Sequence, residues 1–203
     1  MPSNFDNGAF GTYHLADNPR VYQPVRQNNF RFIIDLGDLL RVGENPDDSR
    51  SYITNSQDVI DFSVVSFDPP HFSQEEIPIK RGNSTVYYAG VPSFETKDLV
   101  INDFVGADGK SVLLAWQALS YNVFEDTIPS SDIYKKNATV YEFLPDNTLV
   151  RYWDLIGCWV KNIREDGWNN ENGGKKTVTA TIRYDRAIPH LPDEERTVVN
   201  NNN

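Results

Sequence analysis

The chain has 203 residues, of which 29 are acidic and 19 basic, a net charge of minus ten. With 39% apolar and 12% aromatic residues it holds too much core material for a disordered chain, and its length supports a single core. The acidic balance excludes a general grip on nucleic acid, and no apolar run approaches the roughly 20 residues of a membrane helix.

Residues 1–27 mix Asn, Gly and Pro with Phe5, Phe10, Tyr13 and Tyr22 in no period, and read as an extended arm. No hydrophobic signal region lies there, so a soluble chain without a cleavable signal is expected. Phe30–Leu36 is a strand, closed by the turn chemistry of Gly37 and Asp38. Residues 41–57 are polar, with Pro46, Asp47, Asp48 and Tyr52, and form a long excursion of the kind that is functional or disordered. Val59–Phe67 reads as a second strand, stopped by Pro69 and Pro70. Glu76–Lys80 and Ser84–Tyr88 make a hairpin with its turn at Gly82 and Asn83, and Leu99–Asn102 is a short strand.

One helix is expected between Gly109 and Asn122, because Val112, Ala115, Trp116 and Leu119 recur at helical spacing and Asp108 or Ser111 can cap its start. Ala138–Leu144 and Leu149–Val160 are strands joined across Pro145, Asp146 and Asn147. An Asn- and Gly-rich loop, 166–174, leads to Thr177–Tyr184, which alternates between two faces as a half-buried strand does. The expected organisation is an arm at 1–27, one domain at 28–187 and a flexible tail at 188–203.

Charge is unevenly placed. Between Asp35 and Glu76 ten acids meet two bases, a local net of minus eight, whereas between Lys135 and Arg186 nine bases meet seven acids, a net of plus two. Opposed halves suit head-to-tail contacts between copies, and ordinary solvated faces are the alternative reading.

Catalytic chemistry is not legible. Gly106–Ser111 imitates a phosphate-binding loop, but Phe104 stands where that pattern needs glycine, and Asp108 would repel phosphate. His14, His71 and His190 lack metal-ligand spacing, and Cys158 is the single cysteine. The adjacent carboxylate pairs would point to opposite faces of a strand. No enzyme, metal or cofactor is expected.

Several short stretches, in order, carry a resemblance. They are Asn29–Phe32, Ile77 with Gly82–Asn83 and Tyr88–Gly90, Phe94, and Asp103 ahead of the helix with Trp116. Tyr134–Lys136, Gly157 with Trp159, and Tyr184–Asp185 follow. Together they make the chain, from about Asn28 to Asp185, resemble the tail tube proteins of contractile-tailed bacteriophages, fold relatives of the type VI secretion tube protein. The arm, the 41–57 excursion, Val160 in place of an expected proline, and the tail depart from that pattern.

The resemblance implies a mainly β protein, a β-barrel or β-sandwich packed by one α-helix, whose hexameric rings stack into the inner tube of a virion tail. Its implied partners are further copies of itself, the tail sheath and the baseplate, with assembly in the host cytoplasm, no membrane, and DNA sliding through the lumen without specific binding. A tube-like baseplate or terminator protein is an alternative, as is a carbohydrate-binding module using Trp153 and Trp168. Asp35, Asp61, Glu76 and Glu95 are the candidates to line the lumen. Tyr13, Tyr22, Asp47, Asp48 and Tyr52 are the candidates for contacts between subunits, and Trp116 and Trp159 for anchoring the core.

Overall fold

The computed structural model describes residues 25–37, 39, 56–105, 108–165, 167 and 173–190. It is mainly β, as expected, with nine strands and three helical segments among these residues. β1 (Phe30–Ile34) buries Phe32 and Ile34 on one face by the two-residue period of a strand. Helix α1 (Ser56–Ser63) then leads directly into β2 (Val64–Phe67).

The expected strand Val59–Phe67 is therefore corrected to a helix followed by a short strand. Ser56, Val59, Ile60 and Ser63 fall at helical spacing and are all buried, so the period of burial overrides the β propensity of a Val- and Phe-rich run.

β3 (Phe72–Arg81) and β4 (Ser84–Phe94) are longer than expected and form a two-stranded sheet of their own. Their turn uses Gly82 at φ 61°, and Ser84 Oγ donates 3.1 Å to the Arg81 carbonyl. A bulge lies between Gln74 and Glu76. There a Cβ at Gly90 would sit 2.7 Å from the Glu75 carbonyl oxygen, so the bulge needs glycine.

β5 (Lys97–Asn102), α2 (Gly109–Ala118), the single turn α3 (Ser131–Tyr134), β6 (Lys136–Phe143), β7 (Leu149–Glu165), β8 (Thr177–Arg183) and β9 (Arg186–His190) complete the described fold. Asp108 caps α2, its carboxylate accepting 2.8 Å from Ser111 N. Residues 188–190, expected in the tail, instead pair with β7, Pro189 lying opposite Trp153.

The large sheet runs β1-β6-β7-β8-β5-β2, with β9 on the flank of β7. β7 belongs to both halves. Up to Cys158 it pairs with β6, from Tyr152 to Ile156 also with β9, and from Trp159 to Glu165 with β8. The two halves enclose a core of Leu99, Ile101, Leu155, Val178, Ile182 and Tyr184, closed by Val112, Leu113 and Trp116 of α2 and by Val59 and Ile60 of α1. The expectation of one packing helix thus becomes two. Cys158 is part of this core, where burial pushes its thiol up to about 12.

Candidate assembly surfaces

Several of the residues that carried the resemblance converge at the bend of β7. Gly157 takes φ 71° there, and its N–H donates to Asn137 Oδ1 at 3.2 Å. Asp185 N donates to the Ile156 carbonyl at 2.9 Å, while Lys135 Nζ reaches Asp185 Oδ2 at 2.6 Å. Tyr134 joins both tryptophans: its carbonyl accepts from Trp116 Nε1 at 3.1 Å, and its ring meets that of Trp159 edge-on, 6.3 Å between centroids. Trp116 is 2% exposed and anchors α2 in the core. Trp159 is only half-buried, so its anchoring runs through Tyr134.

Three features of the surface are unusual for a chain that acts alone. The first is the β3–β4 hairpin. Every residue of β3 is exposed, and on β4 all but Gly90 and Phe94 are. Cross-strand pairing puts Ile77 opposite Tyr88 and Ile79 opposite Val86. These four side chains share one face by the two-residue period, which leaves an apolar ladder on an isolated two-stranded sheet. Such a hairpin is marginal on its own, and Phe94 fixes its base through ring contacts with Phe72 and Tyr184, each 5.9 Å between centroids.

The second is a seam between β1 and β2. Phe32 and Phe67 touch across it, 4.8 Å between ring centroids, yet no ladder joins the two strands. The groove beside them holds about 530 Å³ and is lined by Phe30, Val65, Phe67, Val140 and Trp153 among others. The third is the loop between α2 and α3, in which Phe124 is 100% exposed.

Charged groups mostly tie elements together. The Arg31 guanidinium meets Asp61 through Nε at 3.0 Å, joining β1 to α1, and that hydrogen bond raises the guanidinium further. Glu165 lies between Lys110 at 2.8 Å and Lys176 at 2.9 Å, and these ammonium groups hold its carboxyl below the usual range. Among the described residues no cluster of His, Cys, Asp and Glu could hold a metal ion, and no helix is long and apolar enough to cross a membrane.

The residues expected at the lumen are dispersed. Asp35 is exposed just after β1, Glu76 lies on the separate hairpin opposite Ala89, and Glu95 is exposed on the link between β4 and β5. Asp61 is on a helix rather than a strand, and is occupied by Arg31. No single strand face gathers the four. Tyr13, Tyr22, Asp47, Asp48 and Tyr52 lie outside the described residues, as does Trp168. The surface residues that sequence reasoning missed are Phe124 and, in the groove, Phe67, whose only signal was hydrophobicity in segments read as loop or core, whereas Trp153 was singled out only for a carbohydrate site.

No protein-family model matches the chain, and no curated protein matches it in sequence. Solved structures do. A chain of the sheath–tube complex of an extracellular contractile injection system, PVC, in its extended state aligns with TM-score 0.53 at 12% identity, over 85% of this chain and 95% of that one. The anti-feeding prophage cap, a tube-terminating cap, gives TM-score 0.56 at 14% identity, over 87% and 97%. The PVC sheath/tube terminator gives 0.53 at 14%, over 84% and 99%.

The chain shares the fold of these contractile injection system chains. At these identities the likeness is one of fold, and it agrees with the tail tube resemblance carried by the sequence.

Proposed function

We propose that this chain is a structural subunit whose hexameric rings stack into the inner tube of a contractile tail. The observation that carries this reading is the β3–β4 hairpin, whose apolar ladder has no cover within the described chain. An isolated hairpin gains stability when a neighbouring copy covers it, and ring closure protects exposed strand edges. The fold shared with the injection-system chains supports the same reading, with sheath and baseplate as the partners.

On this reading DNA passes through the lumen in a virion tail assembled in the host cytoplasm, and the surplus of carboxylates keeps it from sticking. Asp35, Glu76 and Glu95, all exposed, remain the lumen-lining candidates, whereas Asp61 is engaged with Arg31. Asp47, Asp48, Tyr13, Tyr22 and Tyr52 remain proposed contacts between copies.

A terminator of the same tube is the second reading, favoured by the likeness to a tube-terminating cap and to a sheath/tube terminator over nearly their full lengths. Negative-stain microscopy of concentrated protein tests both. Stacked rings forming tubes are expected for the tube subunit and single rings for the terminator. Monomers without rings at any concentration overturn the assembly reading.

A further inference from the structure

Hydrogen-bond parity tells the strand edges of this chain apart. The two-residue turn at Gly82 and Asn83 has positive φ only at Gly82, a type II′ turn, so the flanking pair Arg81 and Ser84 exchanges both backbone bonds. Antiparallel pairs alternate. Ile79 with Val86 and Ile77 with Tyr88 are therefore bonded pairs, whereas Lys80 with Thr85, Pro78 with Tyr87 and Glu76 with Ala89 turn their backbone groups outward. The outer edge of β3 thus consists of Glu76, Pro78 and Lys80, two charges around a residue with no N–H. The outer edge of β4 consists of Thr85, Tyr87 and Ala89, all exposed, and no residue from Ser84 to Phe94 is charged.

The other edges are guarded or covered. Phe143 N donates to the Asn29 carbonyl, and that parity, carried through β6 and β7, turns Ile188 towards β7 and Pro189 outward on β9. β1 and β2 turn their remaining edges to the seam between them, where Phe32 and Phe67 touch. Proline and charge are the devices that keep sheet edges from pairing, and β3 and β9 carry them. From Thr85 to Ala89, β4 carries neither.

We propose that this open edge of β4 pairs with the same edge of a second copy, antiparallel about a twofold axis through Tyr87. A row of outward N–H and C=O groups is recognised by another extended backbone. Among the described residues, the exposed edge without proline or charge that a second copy can offer is its own β4. In this register Tyr87 meets the partner's Tyr87 and Thr85 meets the partner's Ala89, so every outward position of the stretch joins a bonded pair. Moving the axis to Val86 sets Ala89 against the turn and loses its pair.

Charge favours the same arrangement. Lys80 stands opposite Thr85 and Glu76 opposite Ala89, so the pairing places Lys80 in one row with the partner's Glu76, on the same face. They are three strand spacings apart, about 14 Å, with only two short side chains between them. Parallel pairing in register would instead align Lys80 with the partner's Lys80. On the other face Val86 meets the partner's Tyr88, and the two apolar ladders join on one four-stranded sheet, which is more stable than an isolated hairpin. The contact is isologous and closes at two copies, so it describes the chain outside the ring and does not rest on the ring reading.

The test follows the full chain in dilute solution by sedimentation, where the native chain is expected to be dimeric. Tyr87→Cys places a thiol on the axis, and a short bis-maleimide is expected to give covalent dimers, the native Cys158 being buried. A single thiol links only copies that meet at that residue. Tyr87→Pro removes an outward N–H that the hairpin's own ladder does not use, and is expected to weaken the dimer at least about tenfold. Tyr87→Lys sets two ammonium groups against each other on the axis and makes the same check without altering the backbone.

A native chain that stays monomeric until rings form overturns the contact, and so does a Tyr87→Cys chain that yields no covalent dimer. A dimer of native strength in both Tyr87→Pro and Tyr87→Lys overturns it as well, giving the dimer to another surface or to the residues outside the described ones. In each case rings formed by the native chain leave the ring reading standing. Dimers of the expected kind that never grow into rings overturn the ring reading and leave this one.

Discussion

The carboxylate of Asp185 occupies the space in front of Gly157, where any Cβ would collide with it. Gly157 also holds φ 71°, a left-handed conformation that glycine adopts freely and other residues do not. These two residues set the place where β7 changes from one half of the sheet to the other. Gly157→Ala is expected to destabilise the chain by about 1–3 kcal/mol, from backbone strain added to the collision. Combining it with Asp185→Ala should return only part of the loss, since the collision goes and the strain stays. Urea midpoints of the three variants check this, and full recovery in the double variant would leave the backbone conformation without a role.

Trp116 contributes through both packing and a hydrogen bond. Trp116→Ala is expected to cost about 3–5 kcal/mol. Trp116→Phe keeps most of the packing but leaves the Tyr134 carbonyl without its indole partner, a loss of about 1 kcal/mol or somewhat more. Equilibrium unfolding should rank native, Phe and Ala in that order; an Ala variant as stable as the native chain would mean α2 is held by other contacts.

The hairpin ladder separates folding from assembly. Replacing Ile79 and Val86, an exposed cross-strand pair, by Lys should leave the thermal midpoint of the monomer nearly unchanged, as surface substitutions usually do. The same variant should sediment as monomer where the native chain forms rings. Rings of normal size from the double variant would show that the ladder faces solvent in the assembly.

Acid and base should each weaken the contacts of Glu165, acid through its carboxylate and base through the Lys110 ammonium. Its carboxyl is depressed by Lys110 first and Lys176 next, so its contribution is fully present above the unfolded carboxylate value of about 4.3 and fades as pH falls through the lower folded value. The Lys110 ammonium is raised, chiefly by its hydrogen bond to Glu165, so that side of the contribution persists below about 10.4 and fades as pH rises past it. The stability difference between native chain and Glu165→Gln should be flat between these limits and shrink outside them. A difference that grows on acidification would contradict the sign of the shift.

Much of the fold was legible because burial imposes a period. Thr177–Arg183 alternates in the sequence and buries Val178, Ala180 and Ile182 in the structure. The helix around Trp116 announced itself by spacing and by its Asp108 cap. Misreadings came where the usual signals conflict. Two of the four buried positions of α1 are serines, which composition assigns to the surface, so the helical period of burial is hidden in the sequence. β9 contains Pro189, which reads as a strand breaker, yet a flanking strand tolerates proline. The assembly surfaces were least visible, for a physical reason. An apolar pair such as Ile77 and Tyr88 has the same alternation whether it covers the chain's own core or a neighbour's, and only the packing tells them apart.

The shared strand β7 has a consequence for how the molecule opens. It bonds to β6 and β9 along one stretch and to β8 along the next, so one continuous strand carries both halves of the sheet. Slow hydrogen exchange along β7 should therefore report a single, global unfolding event, while amides of the β3–β4 hairpin exchange through cheap local opening. In an assembled particle the hairpin should slow towards the rate of β7, and the difference between the two would measure how tightly the copies hold one another.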